Sequence, residues 1–260
     1  MIKLENYEVM GWEHAIRGMR NPMNSWEKSD SGDICSCKQK LDDGDNHIPY
    51  CLEGFYSRRD EVFIGPNDHS LMMRLRNAGT DHRKFMRMIT VYVNITAPLY
   101  WWKEFDTYKV GTVANSCSTM HKIHAKEFTL EDFSCEHLID VTKPTAELIN
   151  DDCVPFEETG SRDTLYWTAT NVLELVVEAL NKYRQRYLET NDKKYWYHMI
   201  QLLPSSYNQK RTVMLNYEVL ANMYKSRKTH KLDEWKELCK WIEELPYSEI
   251  ITGGASDGES

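Results

Sequence analysis

The fold is decided by residues 86–98, which read Met-Arg-Met-Ile-Thr-Val-Tyr-Val-Asn-Ile-Thr-Ala-Pro. Up to Ile95, β-branched apolar side chains alternate with Met, Thr, Tyr and Asn, and a period of two is typical of a strand with one buried face. The sequence therefore predicts a strand over residues 86–95. Thr96 is predicted to cap the next helix, which has Pro98 in its first turn and covers residues 99–108.

Working outward, helical spacing of apolar residues predicts further helices on both sides of this strand. One begins at Asn67-Asp68 and ends near Gly79. A long helix is predicted within residues 163–190. Its expected buried face consists of Val172, Val176, Leu180, Tyr183 and Tyr187.

The last third of the chain predicts a strand and two helices. After a break at Leu203-Pro204, residues 212–215 favour a short strand, and Asn216 is placed to cap a helix that runs to about Arg227. Residues 232–245 predict a final helix, stopped by Pro246. Its expected buried face consists of Trp235, Leu238, Cys239 and Ile242.

Helices and strands intermix, so we expect an α/β (α+β) fold in a single domain over residues 1–252. Residues 27–67 are rich in Ser, Asp, Gly and Asn and predict an irregular, cysteine-containing insertion. Residues 253–260 predict a flexible acidic tail. The small, polar residues of 111–122 predict a loop rather than a helix or a core strand.

Composition excludes several functional classes. The 260 residues are 41% hydrophobic and 12% aromatic, which argues against a disordered chain. A net charge of -8 argues against a protein that coats nucleic acid or lies on anionic lipid. The sequence lacks a run of about 18–20 apolar residues and an apolar segment after Lys3, so neither a membrane span nor a secretory signal is expected. With seven cysteines, an odd number, we expect free thiols and a cytoplasmic location.

Two cysteine motifs suggest chemistry. The series Cys35, Cys37, His47 and Cys51 offers ligands that zinc accepts, but structural zinc sites usually have two to four residues between the first cysteines. A loop with free thiols and no metal is therefore the favoured interpretation. Cys117 lies near His121 and His124 and could form a thiolate pair, but no Asn or Asp that would orient the histidine is evident.

An anion site is the remaining candidate. Gly-rich phosphate loops are absent from the sequence, so a nucleotide would be held by side chains and helix ends. Candidate donors are Lys103, Lys109, Thr112, Ser116, Ser118, Thr119, Lys210, Arg211, Arg227, Lys228 and His230. The basic residues from Arg227 to His230 either offset the dipole of their helix or bind an anion.

Residues 97–112, which begin Ala-Pro-Leu-Tyr-Trp-Trp-Lys-Glu-Phe, resemble the signature region of the flavin-dependent thymidylate synthases, and 115–121 resemble the loop that follows it. Leu203-Pro204 and the series Asn216, Leu220, Asn222 and Arg227 match that family's pattern without a gap. His230 and Trp235 resemble a later stretch, and His82 stands where the family has a histidine close to the flavin. The resemblance spans about residues 68–243.

The resemblance implies an α/β homotetramer that holds FAD beside dUMP or another pyrimidine nucleotide. In this family methylene-tetrahydrofolate supplies a carbon, reduced flavin N5 supplies a hydride, and NADPH reduces the flavin. The protein positions the rings and stabilises charge on the uracil, so no protein nucleophile is needed.

The resemblance also assigns roles to individual residues. As catalytic groups, Arg227 would stabilise the ionised uracil edge and Ser118 would contact dUMP. The implied cofactor-binding residues are His82, Thr107, Tyr108, Lys109, Asn216, Asn222 and His230. The implied substrate-binding residues are Glu104, Ser116, Ser118, Thr119 and Arg227. No metal is implied.

The chain departs from the family's pattern at charged positions. Thr107-Tyr108-Lys109 stands in place of Arg-His-Arg, Ser116 in place of a glutamate, and Met120 in place of an arginine that binds phosphate. These changes leave open a different nucleotide, a different one-carbon reaction, or the loss of catalysis. The alternative function is a non-catalytic relative that acts as a binding or protein-interaction module.

Overall fold

A computed structural model describes residues 2–33, 62–138, 154–156 and 165–253. The strands are β1 Lys3–Met10, β2 Gly32–Asp33, β3 Val62–Phe63, β4 Thr90–Pro98, β5 Val113–Ser116, β6 Val154–Phe156, β7 Leu165–Trp167 and β8 Asn208–Asn216. The helices are α1 Trp12–Arg20, α2 Pro66–Asn77, α3 Leu99–Phe105, α4 Ala169–Thr190, α5 Lys193–Leu202, α6 Tyr217–Arg227, α7 Asp233–Glu243 and α8 Glu249–Thr252. The predicted mixture of helix and sheet is confirmed.

The main sheet has four strands in the order β1-β4-β8-β5. The short strands form separate antiparallel pairs, β2 with β3 and β6 with β7. The chain divides into two compact units, each built from separate stretches of sequence. Unit 1 comprises residues 1–3, 96–107 and 116–211; unit 2 comprises 4–95, 108–115 and 212–260. The single domain over residues 1–252 stays a prediction.

The alternation that predicted the central strand is confirmed. Ile89, Val91, Val93 and Ile95 are all 0–1% exposed. The strand itself begins later and ends later than predicted, because residues 83–87 form a 3-10 turn and the extended backbone continues through Pro98. Thr96 is therefore a strand residue and not a helix cap, and α3 starts directly after Pro98.

Polar residues 111–122 were expected to be a loop, and this expectation is wrong in part. Val113–Ser116 forms β5, which lies at the edge of the main sheet beside β8. All of its residues are exposed, so the strand lacks the apolar alternation that would have revealed it. Its pairing depends on backbone hydrogen bonds to a neighbour that is distant in sequence.

Unit 1 has its own core, formed by Ile123, Phe128, Phe133, Leu173, Leu180 and Met199. Thr168 caps α4 by accepting a hydrogen bond from the backbone N–H of Asn171 (3.1 Å). The predicted buried face of α4 is wrong at Val172, which is 46% exposed, while its neighbour Leu173 is buried. Trp101 and Trp102, from α3, are buried within the single chain, so they offer no apolar surface for assembly.

The core of unit 2 includes the predicted face of the last helix. Trp235, Leu238, Cys239 and Ile242 of α7 are all buried. Burial raises the pKa of the Cys239 thiol to about 11, so this thiol stays protonated at neutral pH. Cys117 and Cys135 are also free thiols.

A buried carboxylate organises the first part of unit 2. Asp68, in the first turn of α2, is fully buried and accepts a hydrogen bond from Nε of Arg20 (2.6 Å). It also accepts from the hydroxyls of Ser29 (2.7 Å) and Ser31 (2.6 Å). Asp30 in turn accepts from the backbone N–H of Asp68 (3.1 Å) and so caps α2 from outside the helix. The buried carboxylate of Asp68 therefore holds Ser29 and Ser31, which lie at the start of the predicted irregular insertion.

Among the described residues, no helix is both long and apolar enough to cross a membrane. Within those same stretches, no group of three or more His, Cys, Asp or Glu side chains is arranged to hold a metal ion. Cys35, Cys37, His47 and Cys51 lie outside the described residues, as does the tail from residue 254 onward.

Replacing Asp68 with Asn should lower the free energy of unfolding by about 3–5 kcal/mol, because Arg20 would stay buried without a compensating charge. Urea denaturation at neutral pH measures this change. The control is Asp233→Asn, which removes a surface partner of Lys236 (2.8 Å) and should cost less than about 1 kcal/mol. A small effect of Asp68→Asn would show that the ion pair does not organise unit 2.

The same variant has a defined pH dependence. Burial raises the pKa of Asp68, but hydrogen bonds from Ser31, Ser29 and Arg20 outweigh it and leave the pKa below its ordinary value of 3.8. The stabilisation is therefore complete above the unfolded-state pKa and is lost as the pH falls through the folded-state pKa. The gap between wild type and Asp68→Asn should narrow only below about pH 4.

Candidate functional site

The last residue of α6, Arg227, is held by aromatic side chains of unit 2. Its Nε donates a hydrogen bond to the hydroxyl of Tyr108 (3.0 Å). The guanidinium lies over the ring of Trp235, 4.6 Å from the centroid, and 5.7 Å from the centroid of Tyr108. Contacts of this kind contribute about 0.5–2 kcal/mol each, so they fix the plane of the guanidinium.

His230 completes this aromatic cluster. Its ring lies edge-on to Trp235, with 6.3 Å between the centroids. The backbone N–H of Leu232 donates to His230 Nδ1 (3.2 Å), so the neutral ring carries its proton on Nε2. Tyr108, Arg227 and His230 were all predicted site residues, and the structure brings them together around Trp235.

A permanently charged, planar group on an aromatic support can recognise a planar anion. Arg227 is half-buried, so its electrostatic field is less screened than that of an exposed cation. Guanidinium binds flat, delocalised anions through paired hydrogen bonds. The cluster of Tyr108, Arg227, His230 and Trp235, here called the arginine cluster, is therefore the part of unit 2 best suited to a charged ring or carboxylate.

Asn216 lies at the other end of α6, about 16 Å from Arg227 at 1.5 Å per residue. Its side-chain oxygen accepts from the backbone N–H of Val219 (3.1 Å), so Asn216 caps the helix as predicted. Its Nδ2 lies 2.8 Å from the position that a Cβ would take on Gly111, which has a φ of +77°. The loop before β5 thus packs on this cap, and only glycine fits there.

His82 is exposed and lines a different cavity of unit 2, with a volume of about 810 Å³. Cationic residues around the same cavity are Arg20, which is paired with Asp68, and Lys28, Arg74 and Lys84, while Asp81 supplies a negative charge. A cavity of this size lies in the upper part of the range of about 300–1,000 Å³ that small-molecule sites occupy. The surplus of positive charge favours an anionic ligand.

Asn222 is exposed on α6 and its side-chain oxygen accepts a hydrogen bond from Nη2 of Arg83 (3.1 Å). Arg83 and Arg87 both pair with Glu218, which is buried. The hydrogen bond with Glu218 raises the pKa of Arg87. These contacts join the 3-10 turn that follows His82 to α6, so they fix the position of His82 relative to that helix.

The predicted residues in unit 1 lie in two places. Ser118 and Thr119 line a cavity of about 350 Å³. Ser118 Oγ accepts from the backbone N–H groups of Met120 (3.2 Å) and His121 (2.9 Å), which folds this loop into a turn. Thr107 instead lies two residues beyond the end of α3, where its hydroxyl donates to the carbonyl of Glu104 (2.7 Å).

The remaining predicted residues lie outside the arginine cluster and the two cavities described above or have few described contacts. Lys109 is exposed, in unit 2, and Ser116 is exposed on β5. His124 lies edge-on to Tyr187 in unit 1, with 4.9 Å between the ring centroids. A pairing of Cys117 with His121 or His124 is not among the contacts of the described residues.

Comparison with solved structures defines the fold. The flavin-dependent thymidylate synthase ThyX from Helicobacter pylori, complexed with FAD and dUMP, matches with a TM-score of 0.54 and 17% identity over 96% of this chain and 95% of that chain. The chain has the flavin-dependent thymidylate synthase fold. A second structure of the same protein with FAD and dUMP matches with a TM-score of 0.54 and 18% identity, over the same shares of the two chains.

A UMP/dUMP methylase is also similar to this chain in structure. The UMP/dUMP methylase PolB from Streptomyces cacaoi, bound with 5-Br dUMP, matches with a TM-score of 0.50 and 14% identity over 97% of this chain and 94% of that chain. No family model matches the sequence, and no curated protein does. The resemblance seen in the sequence is thus confirmed at the level of the fold.

The sequence did not predict several residues that form the arginine cluster and the unit 1 cavity. Trp235 was expected in the core and in a stretch that resembles the family, but it was not predicted as a site residue. Its ring lies under the guanidinium of Arg227. Tyr207, which directly precedes β8, and Gln209 of β8 line the unit 1 cavity. No sequence signal marks these two residues, because residues 208–212 are all polar and the strand was predicted only over residues 212–215.

Replacing Asn216 with Ala should lower the free energy of unfolding by about 1 kcal/mol, because the first turn of α6 loses its cap. Asn216→Asp should preserve stability, since a carboxylate also caps and is favoured at a helix N-terminus. Thermal denaturation followed by circular dichroism measures both. The control is Asn222→Ala, the same change in the middle of α6. Equal stability of Asn216→Ala and wild type would mean that the cap is not needed to hold α6.

Proposed function

We propose that this protein binds FAD together with a pyrimidine nucleoside monophosphate such as dUMP. It methylates the pyrimidine with a carbon derived from methylene-tetrahydrofolate and a hydride derived from the flavin. The observation that carries the proposal is the arginine cluster, in which Tyr108 and Trp235 hold the guanidinium of Arg227. ThyX and PolB, which share the fold, bind dUMP or its brominated analogue.

The proposed role of Arg227 follows from its chemistry. A uracil ring that gains electron density becomes a planar anion, and a fixed guanidinium stabilises that charge without reorganising. Arginine remains protonated throughout the physiological pH range, so the group needs no proton donor nearby. Tyr108 is a positioning residue in this account, because its hydroxyl accepts from Arg227 Nε.

The cavity of unit 2 that contains His82 fits FAD in size and charge. Lys28, Arg74 and Lys84 would hold the phosphate groups, and His82 would lie beside the flavin ring. FAD supplies the hydride-transfer chemistry when bound, and NADPH is the proposed reductant. The side-chain oxygens of Asn216 and Asn222 already accept hydrogen bonds within the protein, so any contact with FAD would use their NH₂ groups.

An alternative function is a non-catalytic binding module with the same fold. The observation that favours it is the loss of charge at Thr107 and Met120, where the family has arginines. A module of this kind would keep the arginine cluster but would not turn over a nucleotide. Fold alone does not separate the two functions, because function depends on the side chains of the site.

We expect the protein to assemble as a homo-oligomer, and propose a tetramer from the family resemblance. Large apolar side chains remain exposed on α4 and α5 of unit 1, where Leu175 is 45%, Leu188 55% and Tyr197 45% exposed. Multi-angle light scattering should give four times the mass of one chain. Changing Leu188 to Lys should reduce the mass if this surface takes part, whereas a monomeric wild type would contradict the proposal.

Replacing Arg227 with Ala should weaken dUMP binding by about tenfold to a hundredfold, the equivalent of a charge-assisted hydrogen bond of about 1.5–3 kcal/mol. Arg227→Lys should restore little, because an ammonium cannot lie flat on Trp235 or bind in paired fashion. Met120→Arg should strengthen binding by returning a phosphate ligand. Isothermal calorimetry with dUMP measures all of these affinities.

The matched control is Lys225→Ala, which removes another exposed cation from the last turn of α6 and should leave the dUMP affinity unchanged. Far-ultraviolet circular dichroism of each variant separates a lost contact from a lost fold. An Arg227→Ala protein that is folded and binds dUMP as tightly as wild type would contradict the proposed role of Arg227. Failure of every folded variant and of wild type to bind dUMP would contradict the nucleotide function itself.

A further inference from the structure

The hydroxyl of Tyr108 has a proton to donate in addition to the hydrogen bond that it accepts from Arg227 Nε (3.0 Å). Within the described stretches of the chain, no group accepts this proton, and the other contacts of Tyr108 are ring contacts. We propose that Tyr108 donates it to the oxyanion that Arg227 binds, so that a hydroxyl and a guanidinium act as a donor pair on one ligand. The inference rests on the proposed function, since the ligand is the pyrimidine nucleotide.

The shape of the guanidinium brings the two donors to the same place. Its N–H bonds form a rigid, planar fork in which neighbouring donors point in parallel directions. Tyr108 Oη lies in front of Nε, so a ligand oxygen in front of the adjacent Nη group would lie beside that hydroxyl. Two oxygens side by side repel each other unless a proton lies between them. The phenol supplies this proton and keeps it, so no proton transfer is involved.

One indole ring holds both donors of the pair. The guanidinium of Arg227 lies 4.6 Å from the ring centroid of Trp235, and the ring of Tyr108 is inclined at 60° to that indole with 6.1 Å between the centroids. Trp235 is itself fully buried. Donors that are already fixed bind an anion without the entropic cost of ordering them, so the support by Trp235 favours binding.

The donor pair selects its ligand by charge. Tyr108 and Arg227 are both half-buried, so their contact with a ligand is less screened than a contact on the open surface. Hydrogen bonds to an ionised acceptor are about twice as strong as those between neutral groups. A pyrimidine whose carbonyl oxygen carries negative charge should therefore bind more tightly than a neutral ring of the same shape.

The inferred donor comes from a departure of this chain from the family's signature. That signature has a histidine where this chain has Tyr108. A phenol oxygen can accept from Arg227 and donate to a ligand at the same time, whereas each nitrogen of a neutral imidazole either accepts or donates. The donor pair is thus a property of the residues of this chain and does not follow from the resemblance.

Isothermal calorimetry with dUMP and 5-fluoro-dUMP tests the inference on wild type and Tyr108→Phe. Fluorine makes the uracil ring lose its proton at lower pH, so more of this analogue is anionic. The variant should bind dUMP about twofold to tenfold more weakly, as for one lost neutral hydrogen bond, and should lose more than about tenfold in affinity for 5-fluoro-dUMP, as for a charge-assisted one.

The matched control is Tyr224→Phe, which removes another tyrosine hydroxyl from α6. That hydroxyl already donates to Glu243 (2.7 Å), so its loss should leave both affinities unchanged. Circular dichroism of each variant shows whether the fold is kept.

A double-mutant cycle separates a donor from a residue that only positions Arg227. Once Arg227 is replaced with Ala, no guanidinium remains to be positioned, and Tyr108→Phe should still weaken the binding of 5-fluoro-dUMP. Where Arg227→Ala binds too weakly to measure, 3-fluorotyrosine at position 108 decides the question at pH 7, because fluorine makes the hydroxyl a stronger donor and a weaker acceptor. Binding should become tighter if the hydroxyl donates to the ligand.

The inference and the proposed function fail in different ways. If wild type binds dUMP and Arg227→Ala weakens this binding, but Tyr108→Phe binds both nucleotides like wild type, the proposed function stands and the donor pair is wrong. The donor pair is also wrong if the effect of Tyr108→Phe disappears without Arg227 or, where that background does not bind, if 3-fluorotyrosine does not tighten binding. If folded wild type binds neither nucleotide, both proposals are wrong.

Discussion

The position of the candidate site in unit 2 depends on the junction at which β8 passes directly into α6. β8 ends at Asn216 and α6 begins at Tyr217 without a connecting loop, so the direction of the strand sets the start of the helix. The backbone N–H of Tyr217 donates to the carbonyl of Ile89 (3.1 Å), and its buried hydroxyl donates to the carbonyl of Pro246 (2.5 Å). These two hydrogen bonds fix the start of the helix, so its last residue, Arg227, lies in a fixed position beside Tyr108 and Trp235.

The fold of the chain is kept although charged residues of the candidate site differ from the family's pattern. The chain keeps the fold of ThyX over 96% of its length while it has Thr107 and Met120 at positions where the family resemblance expects arginines. Because function depends on the side chains of a site, a shared fold at 17% identity does not by itself carry over the chemistry.

The parts of the fold that follow from local pattern were predictable. The alternation up to Ile95, the cap at Asn216 and the buried face of α7 depend only on neighbours in sequence. The parts set by distant partners were not: α4 buries Leu173 instead of Val172 because α5, which the sequence analysis did not identify, packs on that side. Asp68 looked like a helix start, and nothing in the sequence indicates its ion pair with Arg20. For the site, the basic residue at the end of α6 was predictable, but its aromatic support was not.

The most direct test of the account is the visible spectrum of the purified protein after incubation with FAD and removal of free FAD by gel filtration. The account predicts that flavin absorbance elutes with the protein and that adding dUMP shifts this spectrum, because the proposed hydride transfer requires the pyrimidine to lie next to the flavin ring. Flavin that elutes entirely with the small molecules would contradict the account. The account would also be contradicted if flavin is bound and calorimetry shows that dUMP binds, but the flavin spectrum does not change when dUMP is added.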